Sequence, residues 1–278
     1  MIFTVDDKAA YCYTGGKAFD ASLPTAVFVH GAQHDHSVWV LQTRYFAHHG
    51  FSVLAVDLPG HGRSNGPALQ SVEALADWLL KLLDAAGVAG GATLIGHSMG
   101  SLIALEAAAR AGQRVRRLAL LAAAYPMQVS QALLSAARHD EPQAIDMVNI
   151  WSHSSPTQKP SNSGPGSSII GGNRRLMQQV ARTVAEDGTP AGVFLSDFQA
   201  CNAYANGEVA AAAVHCPTLL LLGASDQMTP PKASILLRQA LAQHTVITIP
   251  RCGHALMAEQ PDAVLDALFT FATVDRLA

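Results

Sequence analysis

The chain has 278 residues, of which 49% are hydrophobic and 14% are charged, so its composition is that of a folded domain with a large core and excludes general disorder. Its formal net charge of −3 provides no basic field for a nucleic-acid partner. The apolar runs are too short to cross a bilayer and the first residues carry no secretory pattern, so we expect a soluble, cytoplasmic protein without a membrane partner.

The predicted strands come in a regular series along the chain. An antiparallel hairpin is predicted first, over Ile2–Val5 and Ala10–Tyr13. Continuous apolar runs follow it, as expected for strands that are buried on both faces of a parallel sheet. These runs are Ala26–His30, Ser52–Asp57, Thr93–Gly96, Leu118–Leu121, Thr218–Leu222 and Val246–Ile249.

Amphipathic helices are predicted between these strands. Apolar residues recur at helical spacing from Val72 to Leu83 and from Leu102 to Ala111, and glycines close both segments. A last helix begins near Pro261, which suits a first helical turn. Alternating strands and helices predict an α/β fold with a doubly wound, mostly parallel sheet.

One region, residues 125–215, interrupts this alternation. It contains helical patterns but no clear buried strand. Within it, Ser152 to Gly172 are rich in Ser, Pro and Gly and predict a mobile loop. We interpret the region as a helical cap or lid inserted into a core formed by residues 1–124 and 216–278.

The motif that carries chemistry lies at Gly96 to Gly100, which read Gly-His-Ser-Met-Gly. It follows a predicted strand directly and precedes a predicted helix. A serine on such a sharp turn exposes its hydroxyl above the sheet, and the small residues two positions away avoid collisions with the neighbouring strand and helix. The motif therefore predicts Ser98 as a nucleophile.

Together with this motif, three further segments make the chain resemble the α/β-hydrolase superfamily across nearly its whole length, in its esterase- or lipase-like branch with a serine nucleophile. They are His30-Gly31 after the third strand, Asp57 to Ser64 after the fourth and Gly253-His254 after the last. The resemblance implies an eight-stranded sheet. A serine at the turn argues against the dehalogenase and epoxide hydrolase branches, which use an aspartate there.

The remaining catalytic groups are assigned by chemistry and by position. A serine hydroxyl needs a base, and histidine suits that role near neutral pH; His254 follows the last strand, where the family places its base. Asp226 follows the strand Thr218–Leu222 and completes the chain order expected on this fold. An aspartate that only orders its own turn is the alternative for Asp226.

The resemblance also implies an oxyanion hole formed by the backbone N–H groups of Ala32 and Met99. Gln33 is the alternative to Ala32 as a donor and a candidate for contact with substrate. A substrate pocket is predicted from side chains near these groups and in the cap, although Trp39 and Trp151 could equally be core residues: Gln33, His34, Trp39, Tyr125, Met127 and Trp151.

Other polar clusters favour structural interpretations. Asp57 is expected to order its own Pro-Gly loop, and His97 to support its neighbours rather than react. His34 and His36 are only weak evidence for a metal site, since no third ligand is evident. The four cysteines are expected to be reduced. No cofactor and no metal is required.

The expected function is hydrolysis of a small or medium carboxylic ester, lactone or thioester through an acyl-enzyme, with a small-molecule acyl substrate as the partner. The family leaves other reactions open, namely carbon–carbon bond hydrolysis, amide hydrolysis, acyl transfer and cofactor-free haloperoxidase chemistry. A ligand receptor with slow turnover is the alternative from another class. The chain is expected to be a monomer or a homodimer.

Overall fold

The computed structural model describes residues 1–154, 169–183 and 192–274. One eight-stranded sheet forms the centre of the fold, with strand order β1-β2-β4-β3-β5-β6-β7-β8. Strands β1 and β2 run antiparallel to each other and β2 runs antiparallel to β4, while the remaining pairs are parallel. The predicted α/β class and mostly parallel sheet are confirmed. The strands are β1 Ile2–Val5, β2 Lys8–Tyr13, β3 Thr25–Val29, β4 Ser52–Val56, β5 Ala92–His97, β6 Val115–Leu121, β7 Thr218–Gly223 and β8 His244–Ile249.

Eleven α-helices are described. They are α1 Val40–His48, α2 Val72–Ala85, α3 Met99–Ala111, α4 Gln131–His139, α5 Glu141–Trp151, α6 Ile169–Val180, α7 Val193–Ala203, α8 Gly207–Ala213, α9 Ile235–Ala240, α10 Leu256–Glu259 and α11 Pro261–Thr273. None of those in the described ranges is long and apolar enough to cross a membrane.

Helices cover both faces of the sheet because its central strands are apolar on both sides. Val27 and Val29 of β3 pack in one core with residues of α2 and α3, while Phe28 packs in a second core with residues of α1 and α11. Successive side chains of a strand point to opposite faces, so an unbroken apolar run supplies both cores. All five residues of β3 are buried.

Strand β8 departs from the predicted pattern. Val246–Ile249 was expected to be buried on both faces, but β8 is the edge strand and most of its residues are exposed. Ile247 is 38% exposed. An apolar run cannot by itself indicate whether a strand is central or terminal in a sheet.

The segment between β6 and β7 contains helices α4 to α8, and we call it the insertion (residues 125–215). The predicted mobile loop at Ser152 to Gly172 is wrong at its end, since Ile169 to Gly172 belong to α6. Ile169, Met177 and Val180 are buried at helical spacing, and this burial outweighs the poor helix propensity of two adjacent glycines. Residues 155–168 of that predicted loop lie outside the described part of the chain.

Candidate active site

Ser98 occupies a strained turn between β5 and α3. Its φ of 54° and ψ of −118° are sparsely populated for a residue with a side chain and persist where the surrounding structure enforces them. A Cβ on Gly96 would collide with the carbonyl oxygen of Gly100, and a Cβ on Gly100 would collide with backbone oxygens of β3 and the residue after it. The two glycines thus let the chain turn sharply enough to present Ser98 at the strand end.

Asp226 and His254 meet at the carboxyl ends of β7 and β8. The Oδ2 atom of Asp226 lies 2.9 Å from Nδ1 of His254. The Thr229 hydroxyl donates to the same Oδ2 at 2.7 Å and lies 3.0 Å from Nδ1 of His254. Both side chains are largely buried, with 4% of Asp226 and 5% of His254 exposed.

Asp226 also orders its own turn, as the alternative structural interpretation expected, since it accepts hydrogen bonds from Met228 and Thr229 as well as contacting His254. Its Oδ1 accepts the backbone N–H groups of Met228 and Thr229 at 2.8 and 2.9 Å. Burial acts to raise the pKa of Asp226, but the adjacent His254 and the hydrogen bonds from Thr229 lower it to about 2. An ionised carboxylate at Nδ1 keeps the proton on that nitrogen and leaves Nε2 of His254 able to accept one.

The loop after β3 approaches Ser98 closely. A Cβ on Gly31 would lie 3.2 Å from Cβ of Ser98, so a glycine allows this contact. The N–H of Gln33 donates to Asp197 Oδ2 at 2.8 Å, which removes it as an oxyanion donor. Within the described ranges, no hydrogen bond occupies the N–H groups of Ala32 or Met99, as an oxyanion hole requires.

A cavity of about 330 Å³ lies between these strand ends and the insertion. Ser98, His254 and Ala32 line its floor, and three of the predicted pocket residues, His34, Met127 and Trp151, line its walls. Most of the apolar wall was not predicted from the sequence, because it comes from helices α4, α5 and α7 and from loops that are distant along the chain: Val129, Leu133, Val148, Phe198, Cys201 and Met228. Helical periodicity was the only signal for the helical residues, and it does not indicate which of them face a ligand.

Three other predicted pocket residues do not line this cavity. Trp39 is fully buried beneath the site, where its ring packs 5.3 Å from that of Phe28. The Tyr125 hydroxyl donates to the carbonyl oxygen of Ala205 at 2.6 Å, and its ring fills the space above Gly207. Gln33 turns its amide away and donates to the carbonyl oxygen of Met177 at 3.0 Å. Each side chain is used in packing, so these assignments are corrected.

The acidic and histidine-rich loops near the site form separate clusters. Oδ1 of Asp57 accepts the backbone N–H of His36 at 2.8 Å and lies 2.7 Å from Nδ1 of the same residue. Oδ2 of Asp57 accepts the backbone N–H of Arg63 at 2.9 Å. Asp35, His36 and Asp57 bring potential ligand atoms within 4.8 Å of one another, but these carboxylates already accept protein donors, including Ser37 on Asp35. His34 lies apart from this cluster, since Nε2 of its ring lies 2.8 Å from Asn173 Oδ1.

His97, next to the nucleophile, supports the loop that carries His254. Its Nε2 lies 2.8 Å from the carbonyl oxygen of His254, and because a carbonyl only accepts, this nitrogen carries the proton. Burial and the neighbouring His254 lower the pKa of His97 to about 3. It is therefore a neutral donor at ordinary pH.

Because His97 is buried and neutral in the folded protein, we expect the protein to lose stability in acid. Below its usual pKa of 6.5 His97 takes up a proton in the unfolded chain, but the folded protein resists protonation down to about pH 3. The free energy of unfolding should therefore fall as pH drops, by up to about 3 kcal/mol between pH 6.5 and 4.5 from this group. Urea unfolding of wild type and His97→Asn at both pH values measures it, and equal pH dependence in the two proteins would contradict it.

Comparisons with known proteins identify the family of the chain. A family model described as "Alpha/beta hydrolase family" matches residues 26–267. The chain belongs to this family. It is 25% identical over 250 residues to (E)-2-((N-methylformamido)methylene)succinate hydrolase of Acinetobacter baylyi, covering 87% of this chain and 88% of that protein. It is 26% identical over 252 residues to the pimeloyl-[acyl-carrier protein] methyl ester esterase of Nitrosomonas europaea, covering 86% and 92%.

Solved structures of other hydrolases share the fold of this α/β hydrolase. An esterase from Exiguobacterium antarcticum superposes with a TM-score of 0.81 at 18% identity, over 98% of this chain and 99% of that one. The enol-lactonase from Burkholderia xenovorans LB400 gives a TM-score of 0.77 at 22% identity, over 98% and 100%. At these identities the likeness concerns the fold alone.

Proposed function

We propose that this α/β hydrolase is a serine hydrolase that cleaves a small to medium carboxylic ester, lactone or thioester through an acyl-enzyme on Ser98. One observation carries the proposal. Ser98 on its strained turn and His254, paired with Asp226, line the floor of the same cavity, which is the arrangement that nucleophilic acyl transfer needs. The relative named as a methyl ester esterase, which is 26% identical over 252 residues, supports this reaction class.

The reaction proceeds in two steps. The Ser98 oxygen attacks the substrate carbonyl while Nε2 of His254 takes the hydroxyl proton, and the N–H groups of Ala32 and Met99 stabilise the oxyanion. The C–O or C–S bond then breaks, His254 returns the proton to the leaving group, and the acyl group stays on Ser98. Water, deprotonated by His254, attacks the acyl-enzyme, releases the acid and restores the serine.

The cavity walls favour a neutral, apolar acyl group. The insertion contributes Met127, Leu133, Val148 and Phe198, and among the described residues no lysine or arginine lines the cavity. A carboxylate carried on the acyl chain would lose its hydration there without a cation to replace it. We therefore expect a substrate whose acyl group has no charge, with the insertion acting as a cap above it.

A matched pair of esters tests the reaction and the substrate class together. The pair is p-nitrophenyl pentanoate and the p-nitrophenyl monoester of glutaric acid, which has the same chain length but ends in a carboxylate. We expect kcat/KM to be about 100-fold higher for the pentanoate, because an unpaired buried charge costs several kcal/mol. Lactones and acyl-thioesters complete the panel and identify the preferred leaving group. Equal rates on the two esters would contradict the neutral acyl site.

A fluorophosphonate probe separates the remaining outcomes. Labelling of Ser98, located by mass spectrometry, without turnover of any panel member would indicate an activated serine that acts on another acyl substrate, such as an amide. Absence of both labelling and turnover would contradict the serine hydrolase and favour a ligand-binding protein on this fold.

A further inference from the structure

The peptide group that joins Ala32 to Gln33 is held at both of its polar atoms. The carbonyl oxygen of Ala32 lies 2.7 Å from Nδ1 of His34. The N–H of Gln33 donates to Oδ2 of Asp197 at 2.8 Å. These two contacts fix the plane of the Ala32–Gln33 peptide. The proposed oxyanion donor, the N–H of Ala32, belongs to the peptide directly before it.

This peptide leads into a strained backbone conformation. Gln33 has a φ of 57°, in the left-handed region that a residue with a side chain seldom adopts without external support. Its side chain is fully buried and donates to the carbonyl oxygen of Met177 in α6. The loop after β3 thus depends on acceptors supplied by the insertion.

Asp197 lies on α7 and is 1% exposed. Besides Gln33, it contacts His61 from the loop after β4, at 2.9 Å between Oδ2 and Nε2. The other ring nitrogen of His61 lies 3.0 Å from the carbonyl oxygen of Pro59. Because a carbonyl accepts but does not donate, Nδ1 carries a proton. The Nε2 atom faces the Asp197 carboxylate.

His61 and Asp197 form a buried, hydrogen-bonded pair that favours the protonated histidine. Burial acts to lower the pKa of His61, but the charge of Asp197 and its hydrogen bond outweigh burial and raise it. The pair joins the loop after β4 to α7, and the same carboxylate oxygen joins α7 to the loop after β3. In the described part of the chain, neither Asp197 nor His61 forms a hydrogen bond with Ser98 or His254, so the pair takes no direct part in the proposed acyl transfer.

We propose that Asp197 is a positioning residue, which uses its contacts with Gln33 and His61 to hold the Ala32–Gln33 peptide so that the Ala32 N–H faces the oxyanion. This inference rests on the proposed serine hydrolase function. It makes the insertion part of the catalytic arrangement, since the acceptor that fixes the oxyanion loop comes from α7. Without that acceptor the Ala32–Gln33 peptide can rotate. Its rotation would shift the backbone of Ala32 and move the Ala32 N–H away from the reacting carbonyl.

The test compares three variants of the full chain. Asp197→Ala removes the acceptor, while Asp197→Asn keeps an oxygen but removes the charge. Ser196→Ala is the matched control, because Ser196 is the adjacent residue on α7 and its hydroxyl accepts a different contact between the insertion and the core, from Gln70 at 3.2 Å. Each variant is measured for kcat and KM on p-nitrophenyl pentanoate and for amide hydrogen exchange in peptides that cover residues 31–36.

We expect Asp197→Ala to lower kcat about 100-fold with KM changed less than about threefold, because an oxyanion donor acts mainly in the transition state. Asp197→Asn should lose about tenfold in kcat, since its oxygen still accepts from Gln33. Exchange over residues 31–36 should become faster in the same order. Ser196→Ala should match wild type in every measurement.

Other results would overturn the inference. Unchanged kcat in a folded Asp197→Ala would do so, as would a rise in KM that accounts for the whole loss of kcat/KM. If Asp197→Ala fails to fold, Asp197→Asn decides by the same criteria. If wild type turns over no substrate, the proposed function fails and hydrogen exchange decides alone, with faster exchange supporting the positioning of the loop and unchanged exchange contradicting it.

Discussion

Replacement of Ser98 by alanine should lower kcat for the best ester by about 10⁴- to 10⁶-fold, the loss typical of a removed nucleophile. The serine is confined to one position by its turn: the backbone is strained, glycines stand on either side, and the N-terminus of α3 follows directly. Steady-state kinetics on purified wild type and variant measure the loss.

A second serine of the same cavity provides the control for Ser98→Ala. Ser130 also lines the cavity, but its hydroxyl caps α4 by accepting the N–H of Leu133 at 3.2 Å. Ser130→Ala should lower the free energy of unfolding by about 1 kcal/mol and leave kcat within a few-fold of wild type. Activity retained in Ser98→Ala would refute the acyl-enzyme, and a comparable loss of activity in Ser130→Ala would show that the cavity is merely sensitive to change.

Replacement of Asp226 by asparagine should lower kcat by about 10³- to 10⁴-fold, because the asparagine would reverse the hydrogen-bonding polarity at His254. The N–H groups of Met228 and Thr229 hold an oxygen at the Oδ1 position. The amide nitrogen must then occupy the Oδ2 position and donate to Nδ1 of His254. This forces the histidine proton onto Nε2, where a base must accept one.

The matched variant for this prediction is Thr229→Val. It removes the hydroxyl that lies within 3.0 Å of both Asp226 Oδ2 and His254 Nδ1 but keeps the carboxylate. We expect a loss of about tenfold in kcat, because the hydrogen bond from Thr229 to Asp226 is removed while the carboxylate still keeps the proton of His254 on Nδ1. A loss in Asp226→Asn no larger than that in Thr229→Val would indicate that Asp226 only shapes its turn.

Much of the fold could be predicted from local patterns. The strands have apolar runs whose side chains enter both cores, and the turn at Ser98 is marked by its two glycines. The positions of Asp226 and His254 were predicted from the resemblance to α/β hydrolases and from their places in the loops after two apolar strands, since parallel strands bring their carboxyl ends to one edge of the sheet. The hydrogen bond between the two side chains then spans 28 residues of sequence.

The lining of the cavity could not be predicted in the same way. Trp39 and Tyr125 were expected to contact substrate because large aromatic residues occur near the site in sequence, but one is buried in the core and the other packs against Gly207. Phe198 and Leu133 line the cavity instead. Helical periodicity shows that a residue lies on an apolar face but not whether that face meets the core or an open cavity.

The sequence by itself therefore determined the alternation of strands and helices and the sharp turn at Ser98, because periodicity and turn chemistry are local properties. The chain order expected for Ser98, Asp226 and His254 came from the family resemblance that these motifs carry. Only the tertiary structure decided which insertion residues line the cavity and which acceptor holds the loop after β3. The contacts of Asp197 with Gln33 and His61 span 164 and 136 residues of sequence. Such a buried polar contact depends on how distant elements pack, and no local pattern specifies it.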